Sequence, residues 1–167
     1  IIIYIMDGGD GDNNIGGYRF FEAEETDMGN VHSFSVDCFR NIDTPGPTPN
    51  VEEWERRFVD GSIIILARSR ADDQIAAFAF AHPRLVCGRS TLHIWLAATA
   101  PNHQRNGLMH KLLSTLEVAS TGKYEELTIN TYKNYFPQMY ALLSKHPRFR
   151  KTSDVGGKSC FSLQTTT

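Results

Sequence analysis

The stretch that decides the fold runs from Leu92 to Met109 and reads LHIWLAATAPNHQRNGLM. Its first part is an apolar run suited to a β-strand, which reaches a proline at Pro101. A short polar segment that contains Gly107 follows, and apolar residues then recur at helical spacing. They are Leu108, Met109, Leu112, Leu113, Leu116 and Ala119. A strand, a polar turn and a helix in this order point the free N–H groups of the first helical turn at an anion, so the stretch predicts a phosphate-binding turn.

The composition of the whole chain narrows the class of protein. Its 167 residues are 41% hydrophobic and 22% charged, with a formal net charge of −2. These values suit one globular domain and give no reason to expect nucleic acid or an anionic membrane as a partner. No apolar run approaches the ~20 residues of a membrane span. The three cysteines, Cys38, Cys87 and Cys160, lack paired spacing, which predicts free thiols in a reducing, cytoplasmic setting.

Patterning along the chain predicts a flexible acidic N-terminal segment over residues 1–14 and a single domain over residues 15–167. Ile1–Met6 fits an added edge strand or an unstructured end equally well. The domain is expected to alternate strands and helices as a mixed α/β fold. Strands are predicted at Tyr18–Glu22, Ser62–Arg68, Gln74–His82 (ended by Pro83), the central stretch, Glu125–Tyr132 and Lys158–Gln164. Helices are predicted after Thr26 or Asp27, at Val51–Phe58, after Gly107, and from a cap at Asn134 with Pro137 in the first turn.

The central stretch resembles the acetyl-CoA-binding core of the GCN5-related N-acetyltransferases, the GNAT superfamily. In that family a strand ends Val-x-Pro, and Gln/Arg-x-x-Gly-x-Gly/Ala then opens a helix. The corresponding residues here are Thr99-Ala100-Pro101 and Gln104 to Met109. Met109 departs from the pattern, because the family usually has Gly or Ala there to let the backbone approach the pyrophosphate. The resemblance implies a mixed, mostly antiparallel sheet of six to seven strands flanked by about four helices.

The resemblance also implies a function and a set of site residues. It predicts transfer of an acetyl group from acetyl-CoA, as co-substrate, to an amine by direct attack, with a small molecule favoured over a protein. The family's central strands separate, here between Trp95–Thr99 and Leu127–Thr131, and expose backbone groups to pantetheine. The residues expected to bind the cofactor are Ala97, Ala98, Thr99, Gln104, Arg105, Asn106, Gly107, Leu108, Met109 and Asn134.

Two side chains are candidates for proton transfer. His93 lies at an offset where family members carry a catalytic carboxylate or histidine, and an imidazole can titrate near neutral pH. It is predicted to act as a base, directly or through water, although a hydrogen-bonded histidine within the sheet is the plain alternative. Tyr140 fits the family's tyrosine that protonates the departing thiolate, with Tyr132 and Tyr135 as nearby rivals. Asn134 precedes Tyr140 by six residues where the family usually has seven, so Asn134 also fits a simple helix cap.

Other classes of protein and site remain to be weighed against this one. A CoA-binding sensor or interaction module without turnover would share the same fold. An unrelated phosphate-binding domain lacks support, because neither Gly-x-Gly-x-x-Gly nor Gly-x-x-x-x-Gly-Lys-Ser/Thr occurs. No cluster of His, Cys and acidic residues has metal-ligand spacing, so no metal is expected. Edge strands at either end of the sheet make a homodimer possible.

Overall fold

A computed structural model describes residues 15–40 and 49–165 of the chain. The predictions for residues 1–14 and for most of the proline-rich loop at 43–50 lie outside these residues. The strands are β1 (Tyr18–Glu22), β2 (Ile63–Ser69), β3 (Ile75–Val86), β4 (Arg89–Thr99), β5 (Glu126–Tyr132), β6 (Arg150–Val155) and β7 (Lys158–Gln164). The helices are α1 (Met28–Phe39), α2 (Val51–Arg57), α3 (Leu108–Ser120) and α4 (Pro137–Lys145).

The seven strands form one sheet in the order β1-β2-β3-β4-β5-β7-β6. Only β4 and β5 run parallel; every other neighbouring pair is antiparallel. The predicted mixed, mostly antiparallel sheet with about four helices is therefore confirmed. The parallel pair sits at the centre because β4 reaches β5 through α3, and a helical crossover is the usual connection between parallel strands.

Helices cover the sheet on both faces because successive strand side chains point to opposite sides. One face packs Ala77, Ala79 and Ala81 of β3 beneath α3, with Leu143 of α4 in the same apolar cluster. The other face packs Phe78 and Phe80 against Val31 of α1 and Trp54 of α2. The small alanines let α3 approach the sheet closely, while the aromatic residues fill the deeper space under α1 and α2.

Strand β4 carries a β-bulge where it leaves the middle of the sheet. Its register with β3 shifts between Phe80 and Ala81: Ala81 faces Ile94, while Phe80 faces Leu96, so Trp95 is the additional residue. Trp95 and Leu96 consequently pack toward the same aromatic cluster. A bulge bends its strand and increases the local twist. The bulge thus turns the second half of β4 away from the line of the first half.

Several predicted boundaries are corrected. Pro83 does not end β3, which continues to Val86; β2 pairs with β3 only up to Ala81, and a proline is tolerated where a strand edge has no partner. The connection to β4 is a two-residue turn, Cys87 and Gly88, both with positive φ. The predicted cap at Asn134 is wrong, because α4 begins after Phe136.

Two further differences concern caps and strands. The first helix follows Asp27, as one of the two predictions had it, but the Asp27 side chain does not cap α1. Its carboxylate accepts hydrogen bonds from the Glu24 amide and from Arg68 instead. Strand β6 was not predicted at all. It pairs with β7 through a turn at Gly156 and Gly157, and its six side chains are exposed.

Candidate active site

The two parallel strands separate just beyond the middle of the sheet. β4 and β5 pair from Thr91–Glu126 to Ile94–Ile129 and no further among the described residues. From Leu96 to Thr99, β4 keeps its pairing with β3 only. The predicted opening therefore begins after Ile94 and Ile129, which leaves Leu127 to Ile129 inside the paired region. It contains the predicted contacts Ala97, Ala98 and Thr99, and its unpaired backbone edge is a ready partner for an extended ligand.

The turn between β4 and α3 has the backbone shape of an anion-binding site. Arg105 and Gly107 both adopt positive φ, 66° and 74°. The first helical hydrogen bond runs from the Lys111 amide to the Gly107 carbonyl. The amides of Leu108 and Met109 thus precede it and lie in the part of the helix whose N–H groups lack helical partners. Nothing lies within 4 Å of the position that a Cβ of Gly107 would occupy, so the turn has open space beside it.

A hydrogen-bonded chain fastens this turn to the first strand of the domain. The side-chain amide of Asn106 donates to the Tyr18 hydroxyl oxygen over 3.2 Å. The Tyr18 hydroxyl also lies 3.0 Å from Nδ1 of His103. Asn106 also donates to the His103 carbonyl over 3.1 Å. Its side chain is therefore occupied with holding the turn. Tyr18 was not predicted to take part in the site, because 85 residues separate it from His103.

In the part of the chain that the structure describes, one buried polar group near the opening lacks a partner that a cofactor could supply. Thr131 lies near the end of β5, beyond the last residue paired with β4, and is 3% exposed. Its hydroxyl oxygen is buried and has no hydrogen-bond partner within the described residues. A buried polar atom without a partner is costly, and an incoming amide group of pantetheine is a suitable partner. Together with the open space at Gly107, this supports the fit of both ends of the cofactor.

His93 lies on the face covered by α1 and α2 and is 6% exposed. Its Nδ1 is 2.9 Å from the Thr128 hydroxyl of β5. Burial, reinforced by nearby positive charges of which Arg84 acts most strongly, lowers the pKa of His93 to about 3. The imidazole is therefore neutral at pH 7. Its residue type had suggested titration near neutral pH, and the buried position prevents this. Its role in catalysis stays a prediction.

Tyr140 lies on the opposite face, on α4, which packs against β5 and β6. Its ring meets Phe161 edge-on with centroids 5.8 Å apart, and Nζ of Lys151 lies 3.5 Å from its hydroxyl. The helix thus holds the phenol beside an ammonium group. Asn134 is exposed in the turn before α4. The roles predicted for these two residues stay predictions.

The remaining predicted cofactor contacts lie at or near the surface of the turn. Gln104 and Arg105 are exposed beside the turn, and Met109 is partly buried against the apolar cluster under α3. The three cysteines are free thiols. Among residues 15–40 and 49–165, no group of three or more His, Cys, Asp or Glu side chains is placed to hold a metal ion. No helix in the described part of the chain is long and apolar enough to cross a membrane.

Comparison with known proteins places this site in a family. The model of the acetyltransferase (GNAT) family matches residues 28–142, more than half of the chain. The chain therefore belongs to the GNAT acetyltransferase family, as its central stretch predicted. The match includes β4, the turn, α3 and β5, which are the elements that form the opening. No curated protein sequence matches the chain.

Solved structures of this family share the fold at low sequence identity. A GNAT acetyltransferase from Staphylococcus aureus Mu50 has a TM-score of 0.69 and 12% identity, over 89% of this chain and 99% of that chain. The ribosomal-protein-S18-alanine N-acetyltransferase of Escherichia coli has a TM-score of 0.67 and 13% identity, over 90% and 95%. The spermidine N-acetyltransferase of Vibrio cholerae, in complex with CoA and spermine, has a TM-score of 0.66 and 11% identity, over 90% and 96%. At these identities the likeness concerns the fold alone.

Proposed function

We propose that this protein transfers an acetyl group from acetyl-CoA to the amine of a small molecule. The observation that carries the proposal is the opening between β4 and β5 beyond Ile94, which lies in line with the turn before α3. An extended ligand with a phosphate at one end and amide groups along its length matches that arrangement. The similar fold of a solved acetyltransferase in complex with CoA supports the choice of cofactor.

The backbone does most of the proposed binding. The amides from Arg105 to Met109 would hold the pyrophosphate, with the side chains of Gln104 and Arg105 adding hydrogen bonds. The unpaired edge at Ala97, Ala98 and Thr99 would hold pantetheine and polarise the acetyl carbonyl. Asn134 is kept as a further cofactor contact. Bound acetyl-CoA supplies the acetyl group as a thioester, which an amine can attack without any nucleophile from the protein.

The proposed proton transfers involve one residue on each face of the sheet. With its proton on Nδ1, His93 donates to Thr128 and leaves the lone pair of Nε2 free to accept a proton from the acceptor amine, directly or through water. The positive charges that lower the pKa of His93 also disfavour the ammonium form of a bound amine, so less basicity is needed. On the other face, Tyr140 would donate a proton to the departing thiolate.

The burial and the low pKa of His93 bear on the kind of acceptor and on the alternative function. A group that reaches the buried His93 must be slender, which favours a small-molecule amine over a folded protein surface. The low basicity of His93 favours one alternative, a CoA-binding module that retains the fold without turnover. A cytoplasmic location, a homodimer through the edge strands and a domain beginning near residue 15 remain predictions.

The deciding experiment is a calorimetric titration of the protein with acetyl-CoA, followed by thiol release with a panel of amines. Micromolar binding and turnover would support the proposal, binding without turnover would support the module, and absence of binding would overturn both. Gly107→Glu should abolish binding, because it places a carboxylate in the space meant for the pyrophosphate.

Gly88→Glu is the matched control for that variant. Gly88 has a similar φ of 79° and equally open surroundings, but it lies in the turn between β3 and β4. It therefore carries the same backbone strain without approaching the cofactor. Equal loss of acetyl-CoA binding in both variants would contradict the proposal that the pyrophosphate binds at the turn before α3.

A further inference from the structure

Arg57, the last residue of α2, lies over the bulge of β4 in a position that ordinary surface packing does not require. Its guanidinium carbon is 4.4 Å from the ring centroid of Trp95. Nη2 donates to Glu53 over 3.2 Å, and Nη1 lies 3.4 Å from Nε2 of His82. Only 25% of the side chain is exposed. The guanidinium is therefore held over an aromatic ring by partners on two sides.

The Nε donor of this guanidinium is buried without a partner in the described part of the chain. Nε of Arg57 is buried and has no hydrogen-bond partner within the described residues, and the same is true of Nε1 of Trp54. The rings of Trp54 and Trp95 lie 5.7 Å apart and form one cluster with Arg57. Trp54 is fully buried, whereas Arg57 is partly exposed, so of the two donors only that of Arg57 lies on a side chain that a ligand can approach. A buried donor without an acceptor is costly. Donors without acceptors indicate a ligand that brings acceptors, and carboxylate oxygens accept strongly from guanidinium.

Charges around the cluster point to the same ligand. Nδ1 of His82 lies 3.3 Å from the Pro83 carbonyl and must carry the proton, so Nε2 of His82 receives the Arg57 hydrogen bond as a neutral acceptor. Burial first, and then Arg57, lowers the pKa of Arg84, so two guanidinium groups repel each other here. Glu53 compensates Arg57 but is shared with Arg56 at 3.6 Å. The cluster is thus short of negative charge.

The cluster adjoins the proposed reaction centre. His82 and His93 are direct cross-strand neighbours, with ring centroids 5.9 Å apart. His82 therefore neighbours both the Arg57 guanidinium and the candidate base. A substrate whose amine reaches His93 extends toward Arg57 with its next few atoms.

From this geometry we infer that the acceptor is an amine that also carries a carboxylate, and that Arg57 binds the carboxylate while Trp95 supports the guanidinium. The inference rests on the proposed function and adds a substrate class to it. Arg57 fixes the orientation of the acceptor and takes no part in proton transfer. A polycation such as spermidine, the substrate named for the Vibrio cholerae relative, is disfavoured here, because Arg57, Arg84 and Lys158 all act on His93 with positive charge.

Tryptophan fluorescence gives a test that does not depend on turnover. The chain has two tryptophans, Trp54 and Trp95, and both lie in the cluster. The probes are N-acetylglycine, which carries the carboxylate, and N-acetylglycinamide, its neutral counterpart. The wild-type protein should bind the carboxylate at least ~10-fold more tightly than the amide, and Arg57→Gln should weaken carboxylate binding by roughly 10- to 100-fold while leaving the amide unchanged.

The controls separate this inference from the proposed function. Arg56→Gln removes a neighbouring, exposed arginine that shares Glu53 and should leave both affinities unchanged. Arg57→Lys keeps the charge but not the planar fork and should retain part of the preference, provided that both variants keep the wild-type circular dichroism. Calorimetric binding of acetyl-CoA should persist in every variant. Three results would overturn the inference: equal binding of the two probes, no binding of either probe to the wild-type protein, or equal effects of Arg56→Gln and Arg57→Gln. If the wild-type protein does not bind acetyl-CoA, the proposed function is overturned.

Discussion

His93 links the chemistry of the site to the stability of the fold. Its pKa is lowered to about 3 by burial and then by nearby positive charge, whereas an unfolded chain returns it to about 6.5. Between these values the unfolded state binds the additional proton, so the free energy of unfolding falls as the pH falls below about 6.5. The contribution of His93 to stability is fully present above that pH.

Replacement of this one side chain should therefore flatten the pH dependence of stability. We expect the wild-type protein to lose roughly 2 kcal/mol more than His93→Gln between pH 7 and pH 5, since one group titrating over 1.5 pH units supplies at most about that amount. Urea unfolding at the two pH values measures the difference. Equal losses in the two proteins would show that His93 takes up its proton equally in both states.

Residue type and spacing carry only part of the information about the site. Gly107 was predictable because a polar turn before a helix needs a residue that tolerates positive φ. Arg57 was not, because one arginine at the end of a short helix looks the same in sequence whether it faces solvent or stacks on Trp95. The Glu53–Arg57 spacing indicates a shared helix face, yet nothing local identifies the strand beneath that face.

At the scale of elements, strand β1 supports the turn before α3, the proposed cofactor turn, through a single hydroxyl. Tyr18→Phe removes the hydrogen bonds to His103 and Asn106 and keeps the ring. We expect roughly 3- to 10-fold weaker acetyl-CoA binding with a small change in stability, because the turn must then be ordered by the ligand. Calorimetric titration provides the measurement.

Tyr124→Phe is the control for this effect. Its hydroxyl donates to the Gly61 carbonyl over 2.7 Å, so that variant loses a comparable bond, away from the cofactor turn. An equal change in acetyl-CoA affinity in both variants would contradict the prediction, because it would indicate a general loosening of the domain.

The strands that carry apolar side chains were predictable, including β1, none of whose residues is fully buried. β5 and β7 alternate buried with partly buried residues, and β7 was predicted with the bounds that the structure has. β6 was missed because all six of its residues are exposed, which removes the alternation on which a prediction depends. The cap at Asn134 failed for a different reason: Pro137 starts the helix by its fixed φ without any side-chain cap.

The described part of the molecule consists of one sheet with helices on both faces, and the proposed site residues are divided between these faces. α3 and α4 lie on the face that carries the cofactor turn and Tyr140, while α1 and α2 lie on the face with His93 and Arg57. The opening between β4 and β5 is the passage between the two faces. The proposed acid and base therefore act from opposite sides of the sheet.

This division predicts a selective defect in Tyr140→Phe. Loss of the proposed acid should lower kcat by roughly 100-fold, while acetyl-CoA affinity stays within about 3-fold of the wild-type value, since the phenol acts only as the thiolate leaves. Thiol-release kinetics and calorimetry measure the two quantities. Tyr135→Phe, at an exposed tyrosine in the turn before α4, should alter neither. A larger loss of kcat in Tyr135→Phe would transfer the acid role to that rival.

The extra residue at Trp95 also fixes how this chain can vary by insertion and deletion. Even-numbered positions before it, Leu92 and Ile94, face the α3 side, whereas after it the odd-numbered Ala97 does so. Deleting Trp95 would restore regular alternation and leave Leu92, Ile94 and Ala97 on the α3 side, but it would remove the bulge that bends β4. The length of the five-residue interval from His93 to Ala97 therefore sets whether β4 bends at this point. An alignment gap inside that interval would therefore mark a relative whose β4 lacks this bulge and runs straight past the end of its pairing with β5.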